Sequence, residues 1–344
     1  MKRGKFIGCF VAFLSLLPAL SQVNVLTYHN DNARTGANTN ETMLTPANVN
    51  SNTFGKLFRY SVDGYVYAQP LYVSGISVPG QGTRNVLFIA TQHNSVYAFD
   101  ADSTNGPGGG LLWQTSFGVS AVTPTLEFGG RYGPYTDITN EVGITGTPVI
   151  DLTSGTLYVE AFTHEGPNYI HRLHALNITN GVERPFGSAV VAASCAGNGV
   201  GSAGGLVNFN PKQQIQRSAL TLAGGILYVC YAGFADSDPF HGWILGYNAA
   251  TLQPLTNYVF NSTPNGTTNQ FGTNAGEGGI WMSGNGLAVD ANTNLYFEIG
   301  NGTFTATNGS AGGTEYGDSF VKLSTTNGLA VADYLHLITR PLWH

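Results

Sequence analysis

Residues 85–113, NVLFIATQHNSVYAFDADSTNGPGGGLLW, set apolar runs between short polar turns. Residues 85–91 are apolar and β-branched, as a buried strand requires, and 92–95 form a polar turn. Residues 96–99 make a second strand, closed by Asp100 and Asp102. A Gly/Pro-rich loop then leads to Leu111, Leu112 and Trp113, the start of a third. Three strands joined in this way cannot bury their own faces, so neighbours built alike are expected.

The chain supplies them. A short entry strand, an apolar strand, a turn, a strand with a polar cap and a closing strand recur in four segments. The entries are residues 68–73, 146–150, 218–222 and 286–289, and the apolar strands that follow include 156–160, 226–231 and 294–298. Pro70, Pro148, Ala219 and Ala288 mark the entries, at spacings of 78, 71 and 69 residues. A minimal four-stranded unit needs only ~40–50 residues. The excess falls in Gly/Asn/Thr-rich loops at 119–142, 192–214 and 262–280. Long loops on one face of a repeated scaffold are where binding usually resides. No stretch after residue 22 keeps a helical period. The predicted fold is therefore all-β, a β-propeller of four-stranded antiparallel blades with about four blades in this chain. Residues 56–62, KLFRYSV, predict a lone strand that completes the last blade of a closed ring. The repeats stop at Tyr334, residues 335–344 form a tail without cap or turn, and the chain reads as truncated.

Composition narrows the function. Charged residues are 10% of the chain and the formal net charge is −6. Phosphate binding needs a basic face, so a nucleic-acid partner is not expected. Lys2, Arg3 and Lys5 precede an apolar run at 6–20 and small residues near 18–21. This is the pattern of a signal peptide over residues 1–22. It predicts export to the periplasm, the cell surface or the medium, and no transmembrane segment in the mature chain. Cys195 and Cys230 remain after the signal. An oxidising compartment allows them to pair, and a buried free thiol suits the strand around Cys230 equally well.

Several segments resemble a known family. The pattern LFIATQHNSVYAFDAD…LLW is similar to the repeat of the quinoprotein alcohol dehydrogenase-like propellers, the pyrroloquinoline quinone (PQQ) repeat superfamily. The opening TYHNDNARTG at 27–36, followed by LTPANV at 44–49, resembles the entry segment of that family. The fourth repeat resembles it in GGIW at 278–281, Asp290, LYFEIGNG at 295–302 and GDSF at 317–320. The likeness spans residues 24–334 and implies an eight-bladed propeller, of which about half is present. It also implies site residues. Asn301 matches a calcium-ligating Asn, and Asp318 matches the catalytic base. Asp236 and Asp238 fall near a glutamate metal ligand. Calcium takes several oxygen ligands and polarises a quinone carbonyl, while a carboxylate takes the alcohol proton. The family's adjacent cysteine pair has no counterpart among Cys9, Cys195 and Cys230.

Two further residues join the candidates. Glu277 lies alone between glycines in a loop expected to face the central channel, and Trp281 either packs between blades or stacks on a cofactor. His29, Asp31 and Arg34 form the densest polar cluster, expected to clamp the N-terminal segment to the propeller. His171 and His174 lie three apart in a strand and face opposite sides. The expected function is an exported quinoprotein-like propeller that binds a small-molecule or protein ligand at its face. The alternative is a PQQ- and calcium-dependent alcohol or sugar dehydrogenase, or an incomplete fragment of one.

Overall fold

Each repeat of apolar strands and polar turns forms one antiparallel sheet in the computed structural model, which describes residues 23–122, 129–130, 133–268, 276–307 and 313–337. The proposed signal peptide at 1–22 and the last seven residues of the tail lie outside the described residues. Blade 1 comprises β1 (Leu71–Val78), β2 (Gly82–Ala90), β3 (Ser95–Asp100) and β4 (Leu111–Ser116). Blade 2 comprises β5 (Val149–Asp151), β6 (Thr156–Glu165), β7 (Asn168–Asn177) and β8 (Ala189–Val190). Blade 3 has β9 (Thr221–Ala223), β10 (Ile226–Gly233), β11 (Trp243–Asn248) and β12 (Pro254–Asn261). Blade 4 has β13 (Ala288–Val289), β14 (Leu295–Ile299), β15 (Ser319–Ser324) and β16 (Ala330–His336). Within each blade the strands pair in sequence order, and Gln214–Ile215 adds a pairing at the far end of β10. β16 runs through Leu335 and His336, past the expected end of the repeats at Tyr334. Among the described residues no helix is long and apolar enough to cross a membrane.

The core lies between blades rather than within them. One apolar cluster joins blades 1 and 2, a second joins 2 and 3, and a third joins 3 and 4. Trp113 fills the first, and its indole N–H donates to the Ile178 carbonyl at 3.1 Å. Gly181 takes φ +70° where the blade 2 turn crosses this ring, and a Cβ there would stand 2.5 Å from Trp113 Cε3. Gly181→Ala combines left-handed backbone strain with overpacking, and is expected to lower stability by about 3 kcal/mol, read from urea unfolding.

The thiols do not pair. Cys195 and Cys230 are both free. Cys195 packs on the cluster between blades 2 and 3, whereas Cys230 points into the cluster between blades 3 and 4. They therefore lie on opposite faces of blade 3. Burial raises the Cys195 thiol to about 11 and Cys230 further still.

Residues 56–62 also depart from expectation. They alternate inward and outward like a strand but pair with no sheet. The segment instead lies across the outer face of blade 1. The Tyr60 ring stacks on Phe99 at 4.2 Å, and its hydroxyl donates to the Asp100 and Ser103 carbonyls. Asp63 accepts from Thr91 Oγ1 at 2.8 Å and from the Ser95 hydroxyl.

The N-terminal segment is the clamp that the sequence suggested. Val25 exchanges backbone hydrogen bonds with Tyr72 in blade 1, and Ile150 N–H of blade 2 donates to Leu26 O. Asn32 Nδ2 donates to Leu222 O of blade 3, and Val289 N–H of blade 4 donates to Asn32 O. Arg34 is buried and donates to four oxygens: Leu287 O, Thr27 Oγ1, Tyr28 O and Thr221 Oγ1. Burial lowers its guanidinium to about 10. Ten residues thus tie together the innermost strands of all four blades.

Strand direction sorts the loops. Turns between second and third strands, and connections from one blade to the next, all emerge at one end of the blades. The described residues of the long segments 117–148, 191–220, 262–287 and 300–318 lie at that end. His93, in the turn between β2 and β3, joins Glu141 in the first of these segments, Nδ1 to Oε2 at 2.9 Å, and its hydrogen bond to Glu141 raises the His93 pKa above its ordinary 6.5. The protonated ring is the bonded form. The clasp is therefore complete below pH 6.5 and is lost as pH rises through the raised value. An NMR titration of His93 is expected to show this raised midpoint, and Glu141→Gln should lower it.

Candidate functional site

Glu277 lies in the connection from blade 3 to blade 4, at the long-loop end. Its neighbours Gly276 and Gly278 let the backbone pass where side chains would not fit, and a Cβ on Gly278, at φ +75°, would stand 2.6 Å from Ser262 Oγ. Glu277 itself adopts φ +57°. A non-glycine residue in this region is a strained conformation of the kind that collects at functional sites. Its backbone is held from both sides. Glu277 N–H donates to Phe240 O at 2.9 Å, and Thr263 Oγ1 donates to Glu277 O at 2.8 Å. Gly278 N–H donates to Asn301 O at 2.7 Å, which brings the turn after β14 alongside.

That turn carries two of the candidates. Asn301 Nδ2 donates to Glu277 Oε2 at 2.7 Å. Asp318 follows at the start of β15, where its N–H donates to Gly300 O at 2.9 Å and its φ is +53°. Burial pushes the Asp318 carboxyl above its ordinary value, and the charge of Glu277 adds to the rise. The Gly302 backbone and His336 act in the opposite direction. Asn301 therefore meets the wholly buried Glu277, and Asp318 lies close enough for the charge of Glu277 to act on it. Asp236 and Asp238 stand in the corresponding turn of blade 3, at the same end, with Gln213 Nε2 donating to Asp238 O at 3.4 Å. Trp281 is half-buried against the cluster of Tyr135, Phe162 and Phe234, beneath the connection from blade 1 to blade 2.

Three supporting residues escaped the sequence. His241 Nε2 faces Val200 O and its Nδ1 faces Thr263 Oγ1, both at 2.9 Å, and burial lowers its pKa. The buried ring ties together the segments around Glu277. Phe304 and His336 stack at 3.6 Å beside Asp318. Nothing local in the sequence singles out His241. Nothing local links residues 304 and 336.

The donor set is two carboxylates and an amide, the oxygen ligands a hard cation takes. Asn301 turns its amide nitrogen to Glu277, so its carbonyl oxygen is the end left for a cation. No group of three or more His, Cys, Asp or Glu with metal-holding geometry occurs among the described residues. The quinone fits less well, since the chain lacks an adjacent cysteine pair and Trp281 is engaged in packing.

No protein-family model matches the chain, and no curated protein matches it in sequence. Among solved structures, a europium-containing methanol dehydrogenase superposes with a TM-score of 0.56 at 12% identity, over 92% of this chain and 49% of its own. The chain spans about half the length of that enzyme, and its four-stranded blades share that enzyme's fold.

Proposed function

We propose that the protein is an exported binding module whose ligand docks at the long-loop end, over a hard cation held by Glu277, Asn301 and Asp318. The observation that carries this reading is the 2.7 Å contact between the Asn301 amide and the wholly buried Glu277 carboxylate, beside Asp318. Two carboxylates and an amide oxygen brought to one end of the blades are the oxygen ligands that a hard cation takes. The europium in the name of the similar enzyme supports an oxygen-seeking ion. The bound cation would supply an electrophilic anchor for a carbonyl, carboxylate or hydroxyl group on a small molecule or on a partner protein.

Europium luminescence gives the test. Titrating the protein with Eu³⁺ and displacing it with Ca²⁺ is expected to show one site with most of its water shell removed. Glu277→Gln should weaken binding by about 100-fold, as the loss of one charged ligand from a partly buried site implies. A fully hydrated ion, or an affinity untouched by Glu277→Gln, would overturn the reading.

The dehydrogenase reading rests on one observation, the raised carboxyl of Asp318, since a general base works best when its pKa is drawn toward neutrality. Reduction of an electron-accepting dye by alcohols or sugars, in the presence of PQQ and Ca²⁺ and lost in Asp318→Ala, would favour it over the binding module.

A further inference from the structure

Two arginines reach the connection from blade 3 to blade 4, and only one of them finds partners there. A Cβ on Gly286 would clash with the Arg34 guanidinium, and one on Gly284 would clash with that of Arg217. Arg34 donates to four oxygens. Arg217 is half-buried at the end of the connection from blade 2 to blade 3. Among the described residues it makes no hydrogen bond and no ion pair. Charges removed from water are ordinarily paired, and Arg217 is an exception.

A second donor stands near it. Tyr135 is 2% exposed, and its hydroxyl has no hydrogen-bond partner. The two side chains lie close enough for the charge of each to act on the other. Burial lowers the Arg217 guanidinium, and the groups that oppose this are Tyr28, Tyr135 and Tyr67, phenols rather than carboxylates. Tyr67 and Trp281 pack on the apolar cluster that contains Tyr135. Ser218 Oγ donates to Ile280 O at 3.0 Å, which ties the segment of Arg217 to that of Trp281. Tyr28, Tyr67 and Trp281 are half-buried, so part of each ring stays open. The N-terminal segment, the entry to blade 1 and the three connections between blades thus supply one residue each, and the site is built wholly within the described array.

We propose that Arg217 and the Tyr135 hydroxyl hold the carboxylate of a small organic acid, with Tyr28, Tyr67 and Trp281 as walls for its apolar part. A guanidinium fork matches a carboxylate through two parallel N–H groups. Aromatic walls favour a flat apolar remainder. The site needs no cation at Glu277, so its test is run without one, and a failure of the cation reading leaves this result intact.

The probe is para-fluorobenzoate, followed by fluorine NMR with the full chain in EDTA. Saturable binding at one site is expected. The uncharged para-fluorobenzamide should bind at least about 30-fold more weakly, and so should para-fluorobenzoate to Arg217→Gln, as the loss of a charge-assisted pair implies. Tyr135→Phe should weaken the probe about 5-fold, the loss of one neutral donor. Without the probe, Arg217→Gln should melt no lower than the native protein, because no partner in the fold is lost. Absence of saturable binding, equal binding of the benzamide, an affinity untouched by Arg217→Gln or by Tyr135→Phe, or a melting temperature lowered by Arg217→Gln would each overturn the inference.

Discussion

Replacing His171 with leucine is expected to destabilise the protein by about 3–5 kcal/mol, because several buried polar groups lose their hydrogen-bond partner at once. His171 and Glu160 are both 1% exposed, with Nδ1 and Oε1 2.6 Å apart. The other ring nitrogen, Nε2, faces the carbonyls of Pro211 and Gln214 at 3.1 and 3.0 Å. The imidazole therefore pins the connection leading to blade 3 onto blade 2. Its loss leaves two buried carbonyls and a buried carboxylate without the ring that faces them. Glu160 Oε2 already has no hydrogen-bond partner, so the carboxylate has little else to turn to. Chemical unfolding monitored by intrinsic fluorescence will measure the effect. The double variant with Glu160→Leu should recover part of the loss, because two apolar residues of similar size pack without an orphaned charge. If the double variant is as unstable as the sum of the two single ones, the contact is not a coupled pair.

Arg34→Ala is expected to cost on the order of 4 kcal/mol, since hydrogen bonds to a charged donor contribute more than neutral ones and the acceptors left behind are buried. The side chain binds oxygens in the N-terminal segment, in blade 3 and beside blade 4. Lysine should restore less than half of this, because one ammonium cannot reach the acceptors spanned by a planar fork. A fall in melting temperature measured by calorimetry, with Arg34→Lys falling nearly as far, is the expected pattern. Equal stability of Arg34→Lys and the native protein would show that charge alone suffices.

The blades were legible because their signals are local. Apolar alternation, turn residues and spacing are all contained within each repeat, and the sheets follow them closely. Residues 56–62 show where this reasoning stops. Their alternation is real, with Phe58, Tyr60 and Val62 turned toward the protein and Leu57, Arg59 and Ser61 outward. A period of two reports which side of an extended chain is covered. It does not report whether the backbone is paired. His171 and His174 were read correctly as facing opposite sides, yet their acids, Glu160 and Glu183, were not predicted. Those partners come from a neighbouring strand and from the turn after β7, and strand register supplies them. The site divides in the same way. Glu277 stood out through its glycines, and Asn301 and Asp318 through resemblance. His241, Phe304 and His336 join the site only through contacts between distant segments.

The N-terminal clamp also bears on how the protein is made. Blades leave the ribosome in order, and each can pack on the one before it. Residues 25–34 emerge first, but Arg34 must wait for Leu287, a partner 253 positions later. Until then its guanidinium and the Asn32 carbonyl face an unfinished channel. Closing so long a loop slows folding, because the chain entropy is lost before the contact is gained. Residues 25–34 are therefore among the last to reach their final bonds, and a nascent protein halted after blade 3 would carry a loose N-terminal segment.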